Sequence, residues 1–216
     1  MKLTPIHCCA LFNTSVQVCQ ILMAHPSGER AALATNDFGA TPLHLAASHP
    51  NVCIDIAIAV GTSHSAIVED KYKRTPLHIA AQNKHATADL IECIFELNPK
   101  ACEILDGKGN LPLNLAVQSE AKSHIVEELL KAYPPAVKHT NNHLNTPLHD
   151  AVKHNASIEV IELLIEGYHD ALTSPNEDGD IPLHCAVFSQ ATPDIFKVLL
   201  KVSTDCTIRI HSDLLF

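Results

Sequence analysis

The feature that most constrains this chain is a seven-residue stretch, Thr41-Pro42-Leu43-His44-Leu45-Ala46-Ala47, near copies of which recur from one end of the sequence to the other. The copies start at Thr4-Pro5-Ile6-His7, Thr75-Pro76-Leu77-His78, Leu111-Pro112-Leu113-Asn114, Thr146-Pro147-Leu148-His149 and Ile181-Pro182-Leu183-His184, so successive prolines lie 37, 34, 36, 35 and 35 residues apart. Self-similarity at such a period marks a stacked array, in which each unit buries its apolar face only against its neighbours. Each copy reads as the start of a short helix. Threonine can cap it by accepting from an orphan backbone N–H, and proline suits the first helical position, where its missing N–H costs nothing. Leu43, Ala46 and Ala47 return as Leu77, Ala80 and Ala81, as Leu148, Ala151 and Val152, and as Leu183, Ala186 and Val187, an apolar stripe at helical spacing. Small residues in the stripe let neighbouring helices approach closely.

A second helix follows each first one. Its apolar triplet is Val18, Ile21 and Leu22 in repeat one, then Leu90, Cys93 and Ile94, then Val126, Leu129 and Leu130, then Val160, Leu163 and Leu164, and last Ile195, Val198 and Leu199. Thr14 or Ser15, Thr87, Ser123, Ser157 and Thr192 stand where its caps should be, and Asp89, Glu159 and Asp194 place negative charge in its first turn, where the helix dipole favours it. The second helices run into connectors holding Ala101, Ala136 and Ala171, with Pro99, Pro134 and Pro135 as helix stops. Polar turns then lead to the next Thr-Pro. In these hairpin-like fingers Gly39, Gly109 and Gly179 hold a place suited to positive φ. Lys73 and Leu144 hold the same place, so those two fingers are expected to be strained or differently shaped.

The T-P-L-H-x-A-A pattern resembles the ankyrin repeat, over nearly the whole chain and in six units, at approximately 1–35, 36–69, 70–105, 106–140, 141–175 and 176–216. The expected fold is therefore all-α, an ankyrin-repeat solenoid of stacked helix-turn-helix units with projecting fingers, forming a single domain over 1–216. Packed helices lie roughly 8 to 10 Å apart, so six units should extend about 50 to 60 Å.

His7, His44, His78, His149 and His184 share one register, and imidazole can serve as base or metal ligand. A histidine repeated at a helix start is better read as a buried bridge, joined to the threonine hydroxyl on one side and to a backbone group of the next repeat on the other. The ankyrin resemblance implies the same role. Where threonine becomes Leu111 the histidine becomes Asn114, as a paired requirement would demand, although His184 follows Ile181 without a threonine. His139, His143, His149 and His154 crowd one repeat, but they lack a recurrent ligand spacing and no metal or cofactor is expected.

The chain has no G-x-S-x-G, H-E-x-x-H or G-x-x-x-x-G-K-[ST] motif, and Gly107-Lys108-Gly109 falls in a turn, so an enzyme is not expected. Fifteen Lys and Arg against 24 Asp and Glu give a formal charge of −9, which disfavours nucleic acid as partner. Eight cysteines without C-x-x-C spacing read as small buried residues of a reducing compartment, the cytoplasm or the nucleus. The charge-free stretch from Leu3 to Gly28 is interrupted by Asn13, Thr14, Ser15, Gln17 and Gln20 and matches repeat one, so neither a targeting segment nor a membrane span is expected.

The function expected is a non-catalytic scaffold for a protein or peptide partner. The resemblance implies binding on the concave face made by finger tips and inner helices. By repeat position that face comprises Asp37, Phe38, Ser48 and His49; Lys71, Tyr72, Arg74, Gln82 and Asn83; Lys108, Asn110, Gln118 and Ser119; Asn142, His143, Lys153 and His154; and Glu177, Asp178, Asp180 and Gln190. It runs from basic at repeat three to acidic at repeat six, which favours a partner of opposite polarity. Phe38 and Tyr72, on successive fingers, are the expected energetic centre. The alternative is a regulatory or docking fragment of a larger protein whose activity lies elsewhere. The ends are expected to be poorly capped, at Ile6, Cys8, Cys9, Leu11 and Phe12 and at Leu214-Leu215-Phe216.

Overall fold

A computed structural model describes residues 2–50 and 54–203. Cys53, Cys206 and the apolar run 214–216 lie outside the described residues. The described chain is helical. Inner helices α1 (Pro5–Leu11), α4 (Pro42–Ser48), α6 (Pro76–Gln82), α8 (Pro112–Gln118), α10 (Pro147–Lys153) and α12 (Pro182–Phe188) each begin at the recurring proline. Outer helices are α2 (Val16–Ala24), α5 (Ile54–Val60), α7 (Ala88–Leu97), α9 (Ser123–Ala132), α11 (Ile158–Gly167) and α13 (Pro193–Ser203). A short α3 (Gly28–Ala32) follows α2, and 3-10 turns at Ser65–Ile67, Pro99–Cys102, Pro134–Lys138 and His169–Thr173 follow the next four outer helices. Inner helices stack on inner helices and outer on outer, with each inner helix also packed against its own outer partner.

One continuous core runs through the stack. Leu43, Ala46 and Ala47, their equivalents Leu77, Ala80 and Ala81, and Leu148, Ala151 and Val152 are all buried, as are the connector alanines Ala101, Ala136 and Ala171. The outer helices bury Leu90 and Ile94, Val126 and Leu129, Val160 and Leu164, and Ile195 and Leu199. Repeat one departs from the expected register: Val18 and Ile21 are exposed, and Cys19 is the buried residue of α2. At that end Ile6 and Cys9 are buried while Phe12 is exposed. Cys9, Cys19, Cys102 and Cys185 are buried free thiols. Burial pushes the Cys102 thiol up to about 12, which removes it as a nucleophile.

Helix starts differ from simple threonine capping. Among the inner helices of the described residues only the Thr146 hydroxyl accepts from a helix N–H, that of His149, at 3.4 Å. In repeats one, two, three and five the threonine N–H and hydroxyl both point at histidine Nδ1, as in Thr41, where the distances are 3.1 and 2.8 Å. A backbone N–H can only donate, so Nδ1 is the acceptor and Nε2 carries the proton. Nε2 then donates across the repeat boundary: His7 to the Ala40 carbonyl (3.1 Å), His44 to Arg74 (2.9 Å), His78 to Asn110 (3.1 Å) and His149 to Asp180 (3.0 Å). Burial pushes these imidazoles below their ordinary range, His44 to about 4, which keeps them neutral. Among the outer helices Thr87 and Ser157 cap as expected, by accepting from Leu90 and Val160. Ser123 does not, because α9 starts one residue earlier and Lys122 takes the cap position.

Candidate functional site

Each finger is organised by its first residue. The side-chain oxygens of Asn36, Asp70, Asp106, Asn141 and Asn176 each accept from the N–H groups two and four residues on, for example Tyr72 and Arg74 onto Asp70 Oδ1 at 2.8 and 2.9 Å. Such Asx turns fold the backbone on itself. Neighbouring fingers are tied edge to edge: the N–H of Lys71 donates to the Phe38 carbonyl (3.0 Å), Gly107 to Tyr72 (2.9 Å), Asn142 to Lys108 (3.1 Å) and Glu177 to His143 (3.1 Å). Lys73 and Leu144 adopt φ of 59° and 56° in place of the 75° to 83° of Gly39, Gly109 and Gly179. Both fingers keep the common shape and carry the strain of a side chain in the left-handed region. The recurrence of Asn or Asp at the first finger place was the signal for this role, and the sequence reading passed over it.

This rigid comb projects the expected surface residues. Phe38 is 50% exposed and Tyr72 62%. The Arg74 guanidinium lies 5.0 Å from the Tyr72 ring centroid and pairs with Asp70 Oδ2 at 2.8 Å. Burial works to raise the Asp70 carboxyl, but Arg74 and the backbone donors outweigh it and hold it below the usual carboxylate range. Lys71 and Lys108 are exposed beside them, as are Asp37, Asn142, His143, Lys153, His154, Glu177 and Asp178, while His49 and Asp180 are half-buried. His143 and Glu177 touch across neighbouring fingers. His139 donates to the Gly109 carbonyl at 2.8 Å and His149 belongs to the bridge register, so the crowded histidines take separate partners.

Two of the residues placed on this face have internal roles. Asn110 is 1% exposed. Its Oδ1 accepts from Gln118 and Asn141, and its Nδ2 donates to Asp106 at 3.1 Å. Asn83 donates its amide to the carbonyls of Ala47 (2.9 Å) and His49 (3.1 Å), which ties repeat three to repeat two.

Asn110 belongs to a polar cluster that the sequence reading missed. Asp150 sits at the inner-helix position that holds Leu45, Ile79, Leu115 and Cys185 elsewhere, and it is buried. Its Oδ2 accepts from Gln118 (3.0 Å), Asn114 (3.3 Å) and Asn141 (3.4 Å). Burial pushes this carboxyl above its ordinary range, partly offset by the Gln118 and Asn114 donors. Among the described residues no cation lies within ion-pair distance of it.

On either side of that cluster the angle between fingers and inner helices opens into a pocket. The first, of ≈ 580 Å³, lies between the fingers of repeats three and four and is lined by Lys71, Tyr72, Lys73, Arg74 and Lys108 above Gln82, Leu115 and Gln118. The second, of ≈ 420 Å³, lies between repeats five and six and is lined by Asp178, Asp180, Lys153, Cys185 and Phe188. Among the described residues no helix is long and apolar enough to cross a membrane, and no group of three or more His, Cys, Asp or Glu side chains is placed to hold a metal. A family model for ankyrin repeats matches the chain in three overlapping copies, over residues 6–99, 86–173 and 113–210. No curated protein matches it.

Proposed function

Because the chain belongs to the ankyrin-repeat family, whose repeats generally serve protein–protein interaction and are typically non-catalytic, we propose that it is a non-catalytic scaffold that binds a protein or peptide partner along the groove between its fingers and inner helices. The observation that carries this reading is Tyr72. Its ring stands exposed on a finger fixed at both ends, by the Asp70 turn and by the bond from Gly107 to its carbonyl, and it borders the larger pocket. A large ring held in water by a rigid backbone contributes nothing to the core and loses little entropy on binding, which is the profile of an interface anchor. Phe38 repeats the arrangement one finger earlier. The remaining contacts fall to Asp37, Lys71, Arg74, Lys108, Asn142, His143, Lys153, His154, Glu177, Asp178 and Asp180.

The test has two steps. A photo-crosslinking amino acid placed at Phe38 or at Glu96, which faces outward on α7, identifies a partner and the face it uses. Replacing Phe38 and Tyr72 together by alanine should then weaken that partner at least tenfold, about 1.4 kcal/mol, with the unfolding midpoint unchanged. A loss of stability without a loss of affinity per folded molecule would make both rings packing residues and refute the assignment.

A further inference from the structure

The two pockets differ in charge, and that difference says what an occupant must carry. In the first pocket Arg74 is neutralised by Asp70, and the Asp106 carboxylate is turned inward onto the N–H groups of Lys108 and Asn110 and the Asn110 amide. Lys71, Lys73 and Lys108 remain, exposed, with no carboxylate in ion-pair range among the described residues. The mouth of this pocket is cationic on a protein whose formal charge is −9. In the second pocket Asp178 and Asp180 face one ammonium, that of Lys153, and the finger carrying Asp178 adds Glu177. Asp180 Oδ1 lies 3.4 Å from His184 Nδ1, which is a charge pair only when the imidazole is protonated. Phe188, 66% exposed, forms an apolar wall. A carboxylate pair beside an open aromatic face suits a side chain with a long apolar stem and a cationic head. Between the pockets the floor is closed by the interlocked amides of Gln118, Asn110, Asn141 and Asn114 over Asp150.

We propose that the groove reads an extended protein segment by charge and spacing, with an acidic side chain in the pocket at Lys71 and Lys108 and an arginine or lysine in the pocket at Asp178, Asp180 and Phe188. The proposal rests on the scaffold reading above and adds the chemistry of the partner. Two repeats separate the pockets, so their centres lie roughly 16 to 20 Å apart at the usual spacing of packed helices. An extended chain advances about 3.3 Å per residue, which sets the acidic and basic side chains about five or six residues apart. A segment with the two charges adjacent fills one pocket only. A segment with them reversed in the groove meets like charge at both ends, and like-charge juxtaposition is strongly unfavourable.

Fluorescein-labelled synthetic peptides of one composition test this, each with two glutamates and two arginines among glycines and serines. In two block peptides the charge pairs are separated by about five neutral residues, in one chain direction or the other; in the control the charges alternate. Fluorescence anisotropy at about 50 mM salt should show one block order binding at least tenfold tighter than the control, and this preference should collapse at about 500 mM, where screening acts over a few ångströms. Lys71→Glu with Lys108→Glu should remove the preference, and Lys131→Glu with Lys197→Glu, on the outer helices, should leave it intact. Shortening the spacer to about one residue should also remove it. Equal affinity for block and alternating peptides would overturn the charge reading while the cross-linking result on the groove still stood. Absence of binding by every peptide up to about 1 mM would overturn it as well.

Discussion

The junction between α6 and α8 and the junction between α8 and α10 solve one problem in two ways. Both must tie a helix start to the next repeat without stranding buried polar groups. At the first, His78 takes the Thr75 N–H and hydroxyl on Nδ1 and gives Nε2–H to the backbone carbonyl of Asn110. At the second, Asn114 takes the Leu111 N–H at 3.1 Å and gives its amide to the side chain of Asp150 at 3.3 Å. Every repeat offers a carbonyl, so the histidine bridge is portable along an array. The asparagine needs an acceptor side chain in the next repeat, and that acceptor in turn needs Gln118 and Asn141. One connector is modular and neutral; the other is pairwise and leaves a buried carboxylate short of a cation.

The largest effect separates these connectors directly. His78→Ala strands the buried Thr75 N–H, leaves the Asn110 carbonyl with the Asp106 N–H as its one remaining donor and opens space where the ring was, so it should destabilise by about 3 kcal/mol. Asn114→Ala strands the Leu111 N–H but removes only one of three donors to Asp150, and should cost about half as much. Urea midpoints of the two variants measure the difference. Equal losses would mean that the bridges contribute no more than the asparagine network.

Acid should act with opposite sign on the histidine bridges, of which His44 makes the one before α6, and on the junction at Asp150. A histidine whose folded pKa lies below its ordinary value near 6.5 stabilises fully above 6.5, and that stability is lost as pH falls toward the folded value. With His44 at about 4, this one bridge should lose about 2 kcal/mol between pH 7 and pH 5. Asp150 behaves in reverse: its raised pKa makes it a burden at neutral pH that is relieved as the carboxyl takes up a proton. Stability should therefore fall between pH 7 and 5 in the wild type, and His44→Gln should flatten the fall. An unchanged slope in that variant would place the acid sensitivity elsewhere.

Asp150→Asn isolates the second junction. The amide oxygen can accept from the same Gln118, Asn114 and Asn141 donors without a charge to desolvate, so the variant should gain about 1 kcal/mol at pH 7. The gain should shrink as pH falls through the folded pKa of Asp150, where the wild type becomes neutral too. A gain that persists undiminished in acid would show that charge is not its source.

Why one junction was legible and the other was not follows from the range over which each signal acts. The threonine, proline and histidine lie within four residues, so their joint recurrence displayed helix start and bridge together. The stripe of Leu77, Ala80 and Ala81 and the buried alanines of the connectors were legible for the same reason. Asn114 and Asp150 lie 36 residues apart and meet only because the stack sets them in register. In α2 the residues Val16, Val18, Cys19, Ile21, Leu22 and Met23 surround the helix with apolar groups, so the buried side had no phase to read, and Ile21 proved exposed while Cys19 is covered. On the candidate site, repeat position placed the finger tips correctly as surface, as Phe38, Tyr72 and Lys108 show. It could not tell that Asn110, two places before the start of α8, turns its amide inward to the Asp106 carboxylate.

The smallest expected effect lies in the fingers and asks whether their common shape is imposed by the stack. Leu144 holds φ of 56°, and its N–H closes the turn onto the Asn141 carbonyl at 2.8 Å. A side chain in the left-handed region costs roughly 1 kcal/mol, and 51% of this leucine is exposed, so little packing offsets the strain. Asn141 closes the turn through its own side-chain oxygen, and the Asn142 and Glu177 N–H groups tie the finger to both neighbours. These bonds keep the leucine in a conformation that glycine would adopt freely. Leu144→Gly should therefore stabilise the protein, by about 0.5 kcal/mol once the greater freedom of glycine in the unfolded chain is subtracted. Lys73→Gly, at φ of 59° on the finger of Tyr72, should do the same. It should also strip one cation from the larger pocket, so a peptide that binds there should weaken as the fold becomes firmer. A lower urea midpoint for Leu144→Gly would mean that the leucine makes its own contribution to the finger, and that the left-handed turn is held by that side chain and not by the bonds around it.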